Sequence, residues 1–283
     1  MTGVMPRSDL VIEPLTGTIG AVVSGVDLAD PQPDEVIERI RELVHRHGVL
    51  FFLDQVGLTD ESHVRLGARF GELHVHHASP RNHPDHPEIH LVEPAHGDIP
   101  WHADATFEER PPSMSVLRAV TLPAVGGDTL WASTCAAYDE LSSSMQRFLD
   151  GLHAVHESSA HNQSHSVLEV LEAIHPVVID HPWTGRRSIF VNPLWTRRIV
   201  ELNPRESERV LGLLYEQVQL PSHQVRWHWQ PHAVAMWDNF ATHHFVVHDY
   251  EGPRRTQRVS IRGGRPTSSL VEAGSAAAAT TVA

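Results

Sequence analysis

The sequence predicts a mainly β protein with flanking helices, an antiparallel β core buttressed by helices toward the ends of the chain. Three observations carry that reading. Residues 34–47 repeat apolar side chains at helical spacing. NPRE at 203–206 has the chemistry of a helix start. Between these two regions lie short runs rich in β-branched and aromatic residues.

In DEVIERIRELVHRH (34–47), Val36, Ile37, Ile40, Leu43 and Val44 share one face. Pro33 precedes the run, Asp34 and Glu35 suit the positive end of the helix dipole, and Gly48 ends it. VLFFL (49–53) is apolar without a break and reads as a buried strand. A second helix is expected from Thr59, at the start of TDES, to Phe70. A third begins at NPRE: Asn203 caps, Pro204 fits the first helical position, and Glu206 can close a capping box. Val210, Leu211, Leu214 and Val218 supply its apolar stripe. Strands are expected in SMSVLRAV (113–120), HPVVIDHP (175–182), RSIFVN (187–192), AVAMWDN (233–239) and QRVSIRG (257–263), with HPWTGRR as a hairpin turn. Residues 1–8 and the low-complexity tail 266–283 read as disordered, leaving a single domain over 9–265.

Composition narrows the function. The chain has 283 residues, 41% hydrophobic, with a net charge of −13 when histidines are neutral, so a nucleic acid is not the expected partner. No apolar run approaches the roughly 18 residues of a membrane helix, and MTGVMPRSDL lacks the apolar stretch of a secretory signal. One cysteine, Cys135, excludes an intramolecular disulfide and any cysteine-rich zinc or iron–sulfur site, and the cytoplasm is the expected compartment. With 23 histidines, any metal is held by imidazole and carboxylate.

H-x-D pairs occur at His83/Asp85, His96/Asp98 and His102/Asp104. Chance accounts for some of them in so histidine-rich a chain. Proline in HPD and glycine in HGD mark turns, whereas WHADATF (101–107) has alanine between the pair and aromatic flanks. Residues two apart on a strand point the same way, so His102 and Asp104 can offer one ion an imidazole and a carboxylate. A histidine simply hydrogen-bonded to an aspartate is the plainer alternative. Two further stretches matter: VGGDTLW (125–131), with Thr129, and residues 236–263, where a histidine pair is followed by Arg254, Arg255 and Arg258. A facial triad of two histidines and one carboxylate leaves three positions open on Fe(II), enough for a chelating 2-oxo acid and dioxygen. The far carboxylate of that acid needs a cationic fork and a hydroxyl donor.

WHADATF, GGDTLW and WDNFATHH…RRTQR resemble the taurine dioxygenase (TauD/TfdA) family of Fe(II)- and 2-oxoglutarate-dependent dioxygenases. The similarity continues through PLTGTIGAVVSGVDL (14–28), FGELHVHHASP (70–80), HPVV (175–178) and RWHWQP (226–231). The resemblance implies a double-stranded β-helix, a cupin-like jelly roll with helices outside. It implies Fe(2+) bound by His102, Asp104 and His244, with His243 packed on the opposite side of the strand. 2-oxoglutarate and O2 are the implied co-substrates, and Thr129 and Arg254 match the positions that bind the 2-oxoglutarate carboxylate. Counting from His244 in the family's usual spacing selects Arg255 instead. Arg254 is preferred because it and Arg258, four residues apart, face one side of a strand. Arg258 and His76 match positions that contact the sulfonate of taurine, while Asp98 and Trp195 fall at further pocket positions. The implied substrate is a small organic anion. Taurine itself is disfavoured by Ser79, where its pocket has an aromatic residue, and by Asp98, where it has asparagine. The implied reaction is hydroxylation with release of succinate and CO2, followed by cleavage when the hydroxyl lands beside a heteroatom. Members of the family form homodimers or tetramers. A zinc-dependent hydrolase and a non-catalytic cupin-like binding module are the competing readings; the first explains the triad but not Thr129 and the arginines, and against the second stand the intact triad and the intact co-substrate contacts.

Overall fold

The computed structural model describes residues 10–75, 81–92, 99–158 and 170–269. Residues 1–8 and most of the tail, expected to be disordered, lie outside these. Strands β1 (Val11–Pro14) and β2 (Ala21–Ser24) precede helix α1 (Asp34–His47), strand β3 (Val49–Phe52) and helix α2 (Asp60–Ala68). Strands β4 (Leu73–His74), β5 (Ile89–Val92), β6 (Pro112–Thr121) and β7 (Thr129–Ser133) follow. Helices α3 (Thr134–Asp139) and α4 (Ser143–Leu149) lead to β8 (His153–Glu157), β9 (Glu172–Pro176), β10 (Val178–Asp180), β11 (Arg187–Ile189) and β12 (Thr196–Ile199). Helix α5 (Pro204–Val218) comes next, then β13 (Gln224–Trp227), β14 (Val234–Asp238), β15 (Thr242–Val246) and β16 (Arg255–Arg262).

The local signals work as expected in α1 and α5. Gly48 takes φ 73° after α1, and its N–H closes the helix on Val44 O. In α5 the Asn203 side chain accepts the Glu206 N–H (3.0 Å), and the Glu206 carboxylate accepts the Asn203 N–H (3.3 Å). Helix α2 ends at Ala68, short of Phe70. The single strand expected over 175–182 is two strands. Val177 interrupts it, because its N–H bonds Leu152 O (2.8 Å) and its carbonyl accepts the Phe190 N–H (2.9 Å). Helices are not confined to the ends of the chain: α3 and α4 stand in the middle, capped by Ser133 and Ser142. Chain packing also runs past residue 265, where Thr267 O accepts the Asp180 N–H (2.8 Å) and the Ser269 N–H meets the Asp180 carboxylate (2.6 Å).

The largest sheet runs β1-β2-β3-β14-β6-β16-β4, with β5 also on β16; a second runs β13-β7-β15. Pairing is antiparallel except between β2 and β3. Helix α1 covers one face of the large sheet, with Ile37, Ile40 and Leu43 against Leu50, Phe52 and Met236. On the opposite face, Val49, Phe51 and Trp237 meet Trp131 and Trp227 of the second sheet. Strand β3 is therefore buried on both sides, which is why VLFF is apolar at every position. Truncating a fully buried anchor such as Trp131 to alanine costs about 3–5 kcal/mol. The candidate site lies between these sheets. No helix among the described residues is long and apolar enough to cross a membrane.

Candidate metal centre and its surroundings

His102 and His244 face each other across an isolated antiparallel bridge. The His102 N–H donates to His244 O (3.1 Å) and the His244 N–H to His102 O (2.8 Å). Backbone pairing thus sets the rings side by side, with centroids 4.1 Å apart. Asp104 is not a second position on the same strand, as WHADATF suggests: the chain turns at Asp104. The turn still brings the carboxylate to the rings. His102 Nε2 and His244 Nε2 lie 3.9 and 3.8 Å from the same oxygen, Asp104 Oδ1. The donor atoms of all three residues fall within 4.8 Å of one another.

Proton placement suits metal binding. His102 Nδ1 is 2.8 Å from Pro100 O, so it carries the proton and leaves the Nε2 lone pair facing Asp104. Burial pushes the pKa of His102 down and that of His244 further down, keeping both imidazoles neutral, as ligation requires. Burial alone would raise Asp104. The positive charge of Arg258, which also bonds the carboxylate, outweighs it and holds the carboxyl well below the usual range. Two neutral imidazoles and one ionised carboxylate form a donor set that iron or zinc accepts.

The Asp104 turn is clamped from two directions. Asn239 accepts the Asp104 N–H (2.7 Å), and its amide donates to Asp104 O (3.0 Å) and Pro112 O (2.8 Å). On the other flank, Trp195 Nε1 donates to Ala103 O (3.0 Å), and Asn192 donates to Thr106 Oγ1 (3.0 Å). The clamps hold Ala105 at φ 49°, a left-handed conformation that disfavours a residue with a Cβ.

The other pole of the site is built on β7. Val246 pairs with Thr129 and His244 with Trp131, so the Thr129 hydroxyl shares a face of the second sheet with His244. Thr129 Oγ1 accepts from Trp229 Nε1 (2.9 Å) and Arg254 Nη2 (3.2 Å). With both lone pairs engaged, its own proton is left to donate. Arg254 also donates from Nε to Gly127 O (3.0 Å) and is 4% exposed. It makes no ion pair with a carboxylate among the described residues, an expensive state for a buried cation. Arg255 points outward and is exposed. Arg254 is therefore the arginine that meets Thr129. Gly126 and Gly127 make the approach possible: φ is 76° and 73°, a Cβ on Gly126 would sit 2.5 Å from Asp249 O, and one on Gly127 would sit 3.2 Å from Arg254 Cδ.

Arg258 turns into the same interior and bonds Asp104 Oδ1 through Nη1, while its Nε is buried with no hydrogen-bond partner among the described residues. Trp195 is buried edge-on against Phe107, 4.7 Å between centroids. His243 is buried and away from the triad, as the strand alternation requires. His83 turns to Asp60 (3.4 Å). His76 and Asp98 lie outside the described residues, as do Ser79 and His96. Three further features serve the site without being metal or co-substrate donors themselves: Asn239, Trp229 and the Gly126–Gly127 pair. The first stands in the quoted W-D-N pattern and the last in GGDTLW, so both signals were visible; the partner of Trp229 was not.

The sequence profile of the family described as “Taurine catabolism dioxygenase TauD, TfdA family” matches residues 12–260. The alpha-ketoglutarate-dependent sulfate ester dioxygenase of Pseudomonas putida is 34% identical over 282 residues, 91% of this chain and 91% of that protein. The alkylsulfatase of Acinetobacter baylyi is 32% identical over 283 residues, 91% of this chain and 86% of that protein. The crystal structure of a taurine dioxygenase from Burkholderia xenovorans superposes with a TM-score of 0.83 at 36% identity, covering 93% of this chain and 92% of that one.

Proposed function

The chain belongs to the TauD/TfdA family and is a 2-oxoglutarate-dependent dioxygenase; from that premise we propose that His102, Asp104 and His244 hold its ferrous iron, that Thr129 and Arg254 hold the far carboxylate of 2-oxoglutarate, and that the substrate is a small sulfate ester or sulfonate anion. One observation carries the reading. Two imidazole nitrogens converge on one carboxylate oxygen at 3.8 and 3.9 Å, in an interior that also buries Arg254, which has no carboxylate partner among the described residues. A zinc hydrolase or a binding module explains the first feature and leaves the second idle.

When bound, the iron supplies the oxidative chemistry, coupling O2-dependent decarboxylation of 2-oxoglutarate to hydroxylation of a substrate C–H bond. The protein's own groups do the rest. Arg254 offers a planar fork to the carboxylate, and Thr129 donates its free hydroxyl proton to it. Trp131, Trp227 and Trp229 wall that end against water. Arg258 supplies positive charge to the substrate's anionic group, supported by its place beside Asp104 and by its Nε, which has no hydrogen-bond partner among the described residues. His76, Asp98 and Trp195 are the further substrate contacts in this reading. The sulfate ester or sulfonate class is supported by what the relatives named above act on. The two facing antiparallel sheets are read as the double-stranded β-helix, a single catalytic domain over 9–265. The enzyme is read as a cytoplasmic dimer or tetramer.

The test is a panel of sulfate esters and sulfonates with Fe(II) and 2-oxoglutarate under air, reading succinate and product mass together. Equal amounts of succinate and oxidised product are expected from at least one member, with no turnover under argon. Product formed without dioxygen would overturn the proposal in favour of hydrolysis.

A further inference from the structure

Asp238 stands at the end of β14, one residue before the Asn239 that clamps Asp104, and is 1% exposed. Two histidines from distant elements end on it. His45, in α1, donates from Nδ1 to Asp238 Oδ2 (2.6 Å), and His181, in the β10–β11 turn, donates from Nε2 to the same oxygen (2.7 Å). The residue types repeat those of the metal centre, and the donor atoms again lie within 4.8 Å of one another. The geometry is nonetheless that of hydrogen bonds. His181 Nδ1 accepts the backbone N–H groups of Trp183 (3.3 Å) and Thr184 (3.1 Å), so its proton sits on Nε2 and points at Asp238. Separations of 2.6 and 2.7 Å would also squeeze a nitrogen–metal–oxygen angle well below 90° at bond lengths of about 2.0–2.2 Å.

The pair of histidines instead holds a buried charge in place. Burial would raise the Asp238 pKa, but His181 and His45 outweigh it and keep the carboxyl below the usual range. The second carboxylate oxygen accepts the Phe240 N–H (3.0 Å). The Asp238 carbonyl accepts the Thr242 hydroxyl (2.7 Å), and its N–H donates to Gly48 O (2.9 Å). The bonds to Phe240 and Thr242 shape the 238–242 turn from within, and those to His45, His181 and Gly48 tie it to α1, to the β10–β11 turn and to the residue before β3. That turn has two consequences for the metal centre. It presents the Asn239 amide to the backbone of Asp104, and it launches β15, whose third residue is His244.

We infer that Asp238 is a positioning residue for the metal centre: its histidine-tethered carboxylate sets the 238–242 turn, which places Asp104 through Asn239 and holds His244 in register against His102. The inference rests on reading His102, Asp104 and His244 as the metal ligands. A purely structural role would lower stability and leave metal affinity in the folded protein untouched.

The experiment titrates the full chain with Mn(II) at low temperature, reading free Mn(II) by electron paramagnetic resonance, with folding checked by circular dichroism. Asp238→Ala is expected to weaken Mn(II) binding about 10- to 100-fold while the protein stays folded. Asp238→Asn should recover part of the loss, since an amide oxygen still accepts from the rings. If Asp238→Ala does not fold, His45→Gln decides the matter, with an expected loss of about 3- to 10-fold, at or below the low end for removing a ligand's support. Wild-type affinity in the folded variants would overturn the inference. Unchanged Mn(II) affinity in Asp104→Ala would instead overturn the metal-centre reading beneath it.

Discussion

The cluster of His102, Asp104 and His244 and the cluster of His45, His181 and Asp238 contain the same donors and differ in where the protons lie. In the first, the closest nitrogen–oxygen separations are 3.8 and 3.9 Å, and the Pro100 carbonyl draws the His102 proton to the far side of the ring. In the second they are 2.6 and 2.7 Å, because backbone N–H groups occupy the His181 lone pair and turn its proton inward. Donor identity alone does not make a metal site. At His102 and His181 the backbone group behind the ring decides whether it offers a lone pair or a proton. The first cluster is therefore open to a cation, and the second is closed on itself as a tether.

The largest expected effect separates the two clusters outright. Metal analysis should give one equivalent of iron per chain; His102→Ala should lose it and reduce turnover at least about a thousandfold, some 4 kcal/mol of transition-state stabilisation. Two equivalents in the wild-type protein would erase the distinction. Stability reverses the order of the clusters. His181→Ala leaves Asp238 buried with one partner fewer and should cost about 3–5 kcal/mol in urea denaturation. His102→Ala should cost far less, because Arg258 still meets Asp104.

A smaller effect belongs to the co-substrate end of the site. Arg254→Ala should raise the KM for 2-oxoglutarate by roughly 1.5–3 kcal/mol, about 10- to 150-fold, and Thr129→Val by about 1 kcal/mol, near 5-fold. Succinate formation against 2-oxoglutarate concentration measures both, and unchanged KM values would remove these residues from the pocket.

A third kind of buried histidine gives an effect that shows only as pH changes. His63 bonds a carbonyl, Val116 O (3.0 Å), and makes no ion pair with a carboxylate among the described residues. Burial, with Arg118 nearby, pushes its pKa down to about 3. The unfolded chain therefore binds a proton that the folded chain refuses between pH about 6.5 and about 3. Its contribution is fully present above pH 6.5 or so and is lost as pH falls, by up to about 1.4 kcal/mol per pH unit. In His63→Gln the fall in urea midpoint between pH 7 and pH 5 should be shallower, and an equal slope would mean that other groups carry it.

The reading of the chain succeeded where the physics is local. Helix α1 is set by apolar spacing and Gly48, α5 by Asn203 and Glu206, and β3 by its unbroken apolar run. The candidate triad and Thr129 follow from the motifs and from the family resemblance they carry, and the described structure brings them into one interior between two sheets. What stayed hidden depends on segments far apart in sequence. Both α3 and α4 escaped notice because six and seven residues hold too few turns for a periodic pattern, although Ser133 and Ser142 mark their starts. Trp195 was legible as an aromatic residue near the site but not as the donor to Ala103 O.

By itself, the sequence determined the β-rich class, helices α1, α2 and α5 and the candidate donor residues, since caps and periodicity act within a few residues and motif order survives without coordinates. Only the tertiary structure shows that Arg254, which strand alternation favours, meets Thr129, and whether His102 and His181 turn a lone pair or a proton toward their carboxylates. Those choices rest on partners such as Gly127 O, Pro100 O and the Thr184 N–H, which side-chain identity does not specify and which packing alone brings within hydrogen-bond reach.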